Sequence, residues 1–136
     1  MTEIKSNTYI ADILDNVDTI AVVGASSKKH RDSYKVVQSL IENGYKVFPI
    51  NPNEFGKKIL GLECLPNLDA IKDKVDMVNV FRTHDAVMGI TKNAIKIGAK
   101  VLWMQEGIVH HKAAGLAKSA GLEVVMDRCP KKELNK

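Results

Sequence analysis

Apolar residues at Ile10, Ile13, Leu14 and Val17 recur at the spacing of one helical face, which predicts a helix over 8–17. The pattern then changes. Thr19-Ile20-Ala21-Val22-Val23-Gly24 is apolar on consecutive positions, as in a strand covered on both faces of a parallel sheet. Val36, Val37, Leu40 and Ile41 predict a helix capped by Asp32 or Ser33 and stopped at Asn43-Gly44. A second strand covers 46–50 and breaks at Asn51-Pro52. Residues 53–60 read as a loop, 62–65 as a short edge strand, and 66–71 as the opening of a brief helix. A strand over 76–81 leads to a helix over 84–97, with Val87, Ile90, Ala94 and Ile97 on one face. Strand 100–104, helix 110–120 and strand 123–126 complete the chain.

This alternation predicts a three-layer α/β fold around an open, mostly parallel sheet. Right-handed crossovers give the strand order 3-2-1-4-5-6, with 62–65 as the third strand. No linker or repeat divides the chain, so 1–136 forms a single domain with its core over about 19–130.

Composition narrows the function classes. The 136 residues are 45% hydrophobic and 26% charged, as in an ordinary globular domain. The formal charge of +4 (20 basic minus 16 acidic residues) does not call for nucleic acid, and the apolar runs are too short to span a membrane. Met1-Thr2-Glu3-Ile4-Lys5 lacks the basic start and apolar core of a signal peptide. Cys64 and Cys129 form no disulfide framework, so the expectation is a cytoplasmic protein with reduced thiols.

In such sheets ligands bind beyond the carboxyl ends of the strands, where strand order reverses. That places the interest between Gly24 and Phe81-Arg82. Gly24-Ala25-Ser26-Ser27 joins a strand to a helix start through small side chains, which suits a phosphate held by backbone amides and the helix dipole. Lys28, Lys29, Arg31 and Lys35 add positive charge at the same place. The alternative is a tight turn with lysines facing solvent. The loop is neither a Walker motif nor Gly-x-Gly-x-x-Gly, and the second strand ends on Asn51 where an NAD site carries an acid. NADP or coenzyme A remains.

The histidines offer no metal spacing: His110 and His111 are adjacent, and His30 and His84 stand apart, so no metal site and no catalytic residue is assigned. Cys129, in Asp127-Arg128-Cys129-Pro130, is open to two readings, a small buried hydrophobe or a thiol favoured as thiolate by nearby cations. Cys64 reads as a packing residue.

The segments Ile20-Ala-Val-Val-Gly-Ala-Ser-Ser27, Arg31-Asp-Ser-Tyr34 and Val47-Phe-Pro-Ile-Asn-Pro52 together resemble the small stand-alone coenzyme A-binding domain proteins. So do Val78-Asn-Val-Phe-Arg82, Gly98-Ala-Lys-Val-Leu-Trp-Met-Gln105 and Val125-Met-Asp-Arg-Cys-Pro130. The resemblance implies a Rossmann-like fold, similar to the N-terminal domain of the succinyl-CoA synthetase α subunit without its catalytic half. It implies a pyrophosphate loop of Gly24, Ala25, Ser26 and Ser27, flanked by Lys28, Arg31, Ser33, Tyr34 and Lys35. Asn51 and Pro52 would shape the pocket, Phe81 and Arg82 would lie near the adenosine, and Gln105 at the adjoining strand tip. The expected function is to bind coenzyme A, free or acylated, as a carrier, sensor or accessory protein without chemistry of its own. The alternatives are a small NADP-dependent oxidoreductase, for which no Tyr-x-x-x-Lys pair is present, and a protein-interaction module that binds no nucleotide.

Overall fold

The computed structural model describes residues 7–136, so the pentapeptide tested above as a signal lies outside the described residues. Five parallel strands form the sheet: β1 (Thr19–Val23), β2 (Lys46–Ile50), β5 (Met77–Val80), β6 (Val101–Met104) and β7 (Glu123–Val125), in the order β2-β1-β5-β6-β7. Their inner positions alternate between two cores. Ile20, Val22, Met77 and Trp103 pack with helices α1 (Asn7–Asn16) and α2 (Asp32–Glu42). Ala21, Val78, Val80 and Leu102 pack on the other face with α3 (His84–Lys96) and α4 (His111–Ser119). Every residue of β5 and β6 is buried, which is why these segments read as unbroken apolar runs.

Three expectations are corrected. The 62–65 segment does not join the sheet as a full third strand. Leu60 and Gly61 both adopt positive φ (53° and 82°), the geometry of a tight two-residue hairpin turn, so β3 (Lys58–Ile59) folds antiparallel onto β4 (Leu62–Glu63). Only Leu65 reaches the main sheet, through one parallel bridge to Ile50. The same turn overturns the reading of 53–60 as plain loop. It contains β3, preceded by a 3₁₀ turn at Pro52–Glu54. Finally, neither Asp32 nor Ser33 caps α2. Arg31 is the last extended residue (φ −75°, ψ 144°), so both lie inside the first turn, and Arg31 makes no side-chain capping bond.

Two anchors matter below. At the amino ends of the strands, the Asp76 carboxylate accepts hydrogen bonds from the Asp18 and Thr19 amides (2.8 and 3.2 Å) and lies 3.8 Å from Lys100. In β2, Lys46 donates its amide to Asp18 and Ile50 accepts from Gly24, so these residues face β1. Pro49, out of phase with both, turns its carbonyl outward to the Leu65 amide (3.0 Å).

Candidate functional site

The carboxyl end of β1 is shaped by one residue. Gly24 has φ +97°, and a Cβ there would lie 2.3 Å from the Phe81 carbonyl oxygen, so the tips of β1 and β5 approach as closely as a bare backbone allows. The Gly24 and Ala25 amides both donate to the Ile50 carbonyl (2.8 and 3.3 Å), which spends them on the sheet. Beyond them the loop turns on itself. The Lys28 amide donates to Ser26 Oγ (3.1 Å) and the Arg31 amide to the Lys28 carbonyl (3.1 Å). It then delivers the chain to α2, whose first-turn amides have no intrahelical partner and receive no capping side chain from Arg31.

Over this junction opens a cavity of about 740 Å³. Of the residues singled out from the sequence, Gly24, Ser26, Lys28, Arg31, Ser33, Asn51 and Phe81 line it. Ala25 is fully buried beneath it and Ser27 lies in the loop at its edge, while Tyr34 packs against the core. Lys35 is exposed on α2. Pro52 and Arg82 line a separate, smaller cavity of about 210 Å³ whose walls include Ile50, Pro66, Leu68 and Ile90. Gln105 is buried at the tip of β6. Its Oε1 stands 3.5 Å from the amide nitrogen of Asn79, a buried side chain whose own oxygen has no partner.

The wall of the larger cavity also holds His30, Asn53, Glu54 and Lys57, none of them expected there from the pattern of residues. The placement of Asn53, Glu54 and Lys57 follows from Asn51. Its side-chain oxygen accepts from the Asn53 amide (3.0 Å) and starts the 3₁₀ turn, in which Pro52 supplies a favourable backbone angle. Its Nδ2 donates to the Ala25 carbonyl (2.8 Å) and ties that turn to the glycine loop. Glu54 therefore swings back over Ser27. Its carboxylate accepts from the Ser27 amide (3.2 Å) and hydroxyl (3.0 Å), and pairs with Lys57 at 3.1 Å. These contacts, the Ser27 amide foremost, hold the Glu54 carboxyl below the usual carboxylate range. The sequence shows Asn51-Pro52 with Glu54 two residues on, but where that acid is aimed depends on the turn.

His84 and His110 serve the scaffold. His110 Nδ1 accepts from the Ala113 amide (3.1 Å) and caps α4, and its ring stacks on His84 at 4.2 Å and 12°. Among the described residues no group of three His, Cys, Asp or Glu is gathered as for a metal ion. Cys129 is buried at the start of the short helix α5 (Pro130–Leu134), in the same core as Trp103, whose indole donates to the Arg128 carbonyl (2.8 Å). Cys64 is fully buried, and burial pushes its thiol pKa up.

A strand–glycine turn–helix junction with an open helix end at the strand-order reversal has counterparts among known proteins. The family model of the CoA binding domain matches residues 18–135. The chain belongs to the CoA-binding domain family. This CoA-binding domain is 34% identical over 126 residues to the uncharacterized protein YneT of Bacillus subtilis, covering 93% of this chain and 92% of that one. It superposes on a hypothetical protein from Pyrococcus horikoshii with a TM-score of 0.90 at 37% identity, covering 99% of this chain and 97% of the other. Over 61 residues it is 41% identical to an ADP-forming acetate–CoA ligase II of Archaeoglobus fulgidus. That match takes in 43% of this chain but 9% of the ligase. Family membership points to coenzyme A as the ligand, and no helix among the described residues is long and apolar enough to cross a membrane.

Proposed function

We propose that the protein binds coenzyme A, free or acylated, with its pyrophosphate over Ser26, Ser27 and the first turn of α2, as a carrier, sensor or accessory protein. The observation that carries this reading is the 740 Å³ cavity, in which the turn at Gly24 and the uncapped end of α2 face one space with Lys28, Arg31 and Lys57 on its rim. Backbone amides at a helix start together with cations are the donors that phosphate oxygens take. The smaller cavity behind Arg82, with Ile50, Pro52 and Leu68 in its walls, offers an apolar slot for the adenine ring. That slot lies beside the strand tips, so a nucleotide can span both spaces across Gly24.

Calorimetric titration of the ligand-free protein with coenzyme A, 3′-dephospho-CoA, NAD and NADP tests the reading. Preferential binding of coenzyme A is expected; binding of a nicotinamide nucleotide with none of coenzyme A would sink it. The phosphate position is tested by Ser26→Asp, which puts a carboxylate into the cavity. Loss of a charge-assisted contact of about 1.5–3 kcal/mol corresponds to at least a tenfold weaker coenzyme A affinity. Unchanged affinity in the folded variant would move the pyrophosphate elsewhere.

A further inference from the structure

The loop assigned above to phosphate already holds an anion of the protein's own. Both donors of Ser27, amide and hydroxyl, are taken by the Glu54 carboxylate, and the neighbouring cation Lys57 is engaged by the same group. A carboxylate and a phosphate oxygen ask for the same donors, so both cannot occupy Ser27 at once. We propose that Glu54 is a specificity-determining residue of this site: its carboxylate competes for the anion position on Ser27, and a ligand enters only by displacing it. The inference rests on the phosphate-binding reading of the loop and names the residue that sets its threshold.

The fold makes such an exchange feasible. Glu54 is delivered by the 3₁₀ turn Pro52–Glu54, whose start is fixed by Asn51, and Phe55, next along, is largely exposed. The carboxylate leaves Ser27 by rotation of its own side chain, with the hydrogen-bonded turn in place. When it leaves Ser27, Lys57 loses its partner in the resting state and becomes available to the incoming phosphate, on the same cavity wall. A small anion that binds through phosphate alone must meet the whole cost of this exchange. A nucleotide anchored at a second place, such as the apolar slot behind Arg82, meets it with contacts the small anion lacks. Glu54 thereby keeps inorganic anions out of a loop built to take phosphate.

The test compares the wild-type protein with Glu54→Gln, which keeps the side chain's length and an acceptor for Ser27 but removes the charge. Inorganic pyrophosphate and coenzyme A are the probes, titrated by calorimetry at fixed ionic strength. The expected result is pyrophosphate binding about tenfold tighter in Glu54→Gln, the effect of removing one charge-assisted competitor. Equal or weaker pyrophosphate binding in the variant, or none in either protein, overturns the proposal. Tighter pyrophosphate binding in the variant while neither protein binds coenzyme A upholds Glu54 as the competitor and instead sinks the coenzyme A reading. A measurement on the wild-type protein covers the case in which the variant does not fold. On saturation with pyrophosphate, the ¹³C resonance of the Glu54 carboxyl is expected to move to the position of a free glutamate. A resonance that stays in place under saturation overturns the proposal.

Discussion

Gly24 leaves no room for a side chain. A methyl group there meets the Phe81 carbonyl at 2.3 Å and adopts a φ of +97°, so Gly24→Ala combines a backbone clash with a strained dihedral. A loss of at least about 2 kcal/mol is expected, read as a lower denaturant midpoint with unchanged slope. A midpoint within error of wild type would mean that the strand tips part without cost. Gly24 was legible in the sequence because a glycine at the end of a strand needs a reason. Asn51 was legible as a residue of the pocket, though not as its organiser, since an asparagine beside a proline says that the chain turns and not where the turn leads. Glu54 and Lys57 reach the cavity only through that turn and through the hairpin that follows it, so no local pattern announced them. Gln105 drew attention as a polar residue at a strand tip, but its side chain is buried beside Asn79.

Elements with a long periodic stripe were legible from their spacing alone. The strands of the main sheet and helices α1 to α4 follow the apolar pattern, because burial on one or both sides writes itself into many positions. What escaped were pieces too short for a period: β3, the 3₁₀ turn at Pro52–Glu54 and α5. The hairpin of β3 and β4 is set by the backbone at Leu60-Gly61, and a leucine at positive φ is not anticipated by composition. Helix α5 is held by its surroundings. The indole of Trp103 on β6 reaches across to the Arg128 carbonyl at 2.8 Å, fastening the entry of α5 to the centre of the sheet. Trp103→Phe removes that donor and part of a fully buried ring. The expected cost is about 1–3 kcal/mol, with faster amide exchange over 129–134 than elsewhere. Uniform exchange in the variant would place the anchor of α5 somewhere other than the indole.

At the scale of the molecule, the proposed ligand site lies at the carboxyl ends of the sheet, and a buried, bonded carboxylate ties the strands together at the amino ends. Burial opposes ionisation of Asp76, but the Asp18 and Thr19 amides and Lys100 outweigh it, and its pKa lies below the ordinary aspartate value. The unfolded chain then binds the extra proton first as pH falls. The contribution of Asp76 is therefore complete above about pH 5 and is lost as pH drops through the folded value. Asp76→Asn is expected to be less stable than wild type at neutral pH, with the gap closing as the pH falls below about 5. Denaturant midpoints across that range check it, and a gap independent of pH would remove Asp76 from the account. The margin of the sheet has a consequence of its own. In β2 the outward positions are Val47 and Pro49, and the proline has no N–H to offer while its carbonyl is already taken by Leu65. A strand from a neighbouring molecule would find only Val47 to pair with, and one residue does not hold a ladder. The apolar strip that includes Ile41 and Phe48 along this margin is thus no template for stacking chain upon chain, and crowding does not turn the open sheet into a fibre by that route.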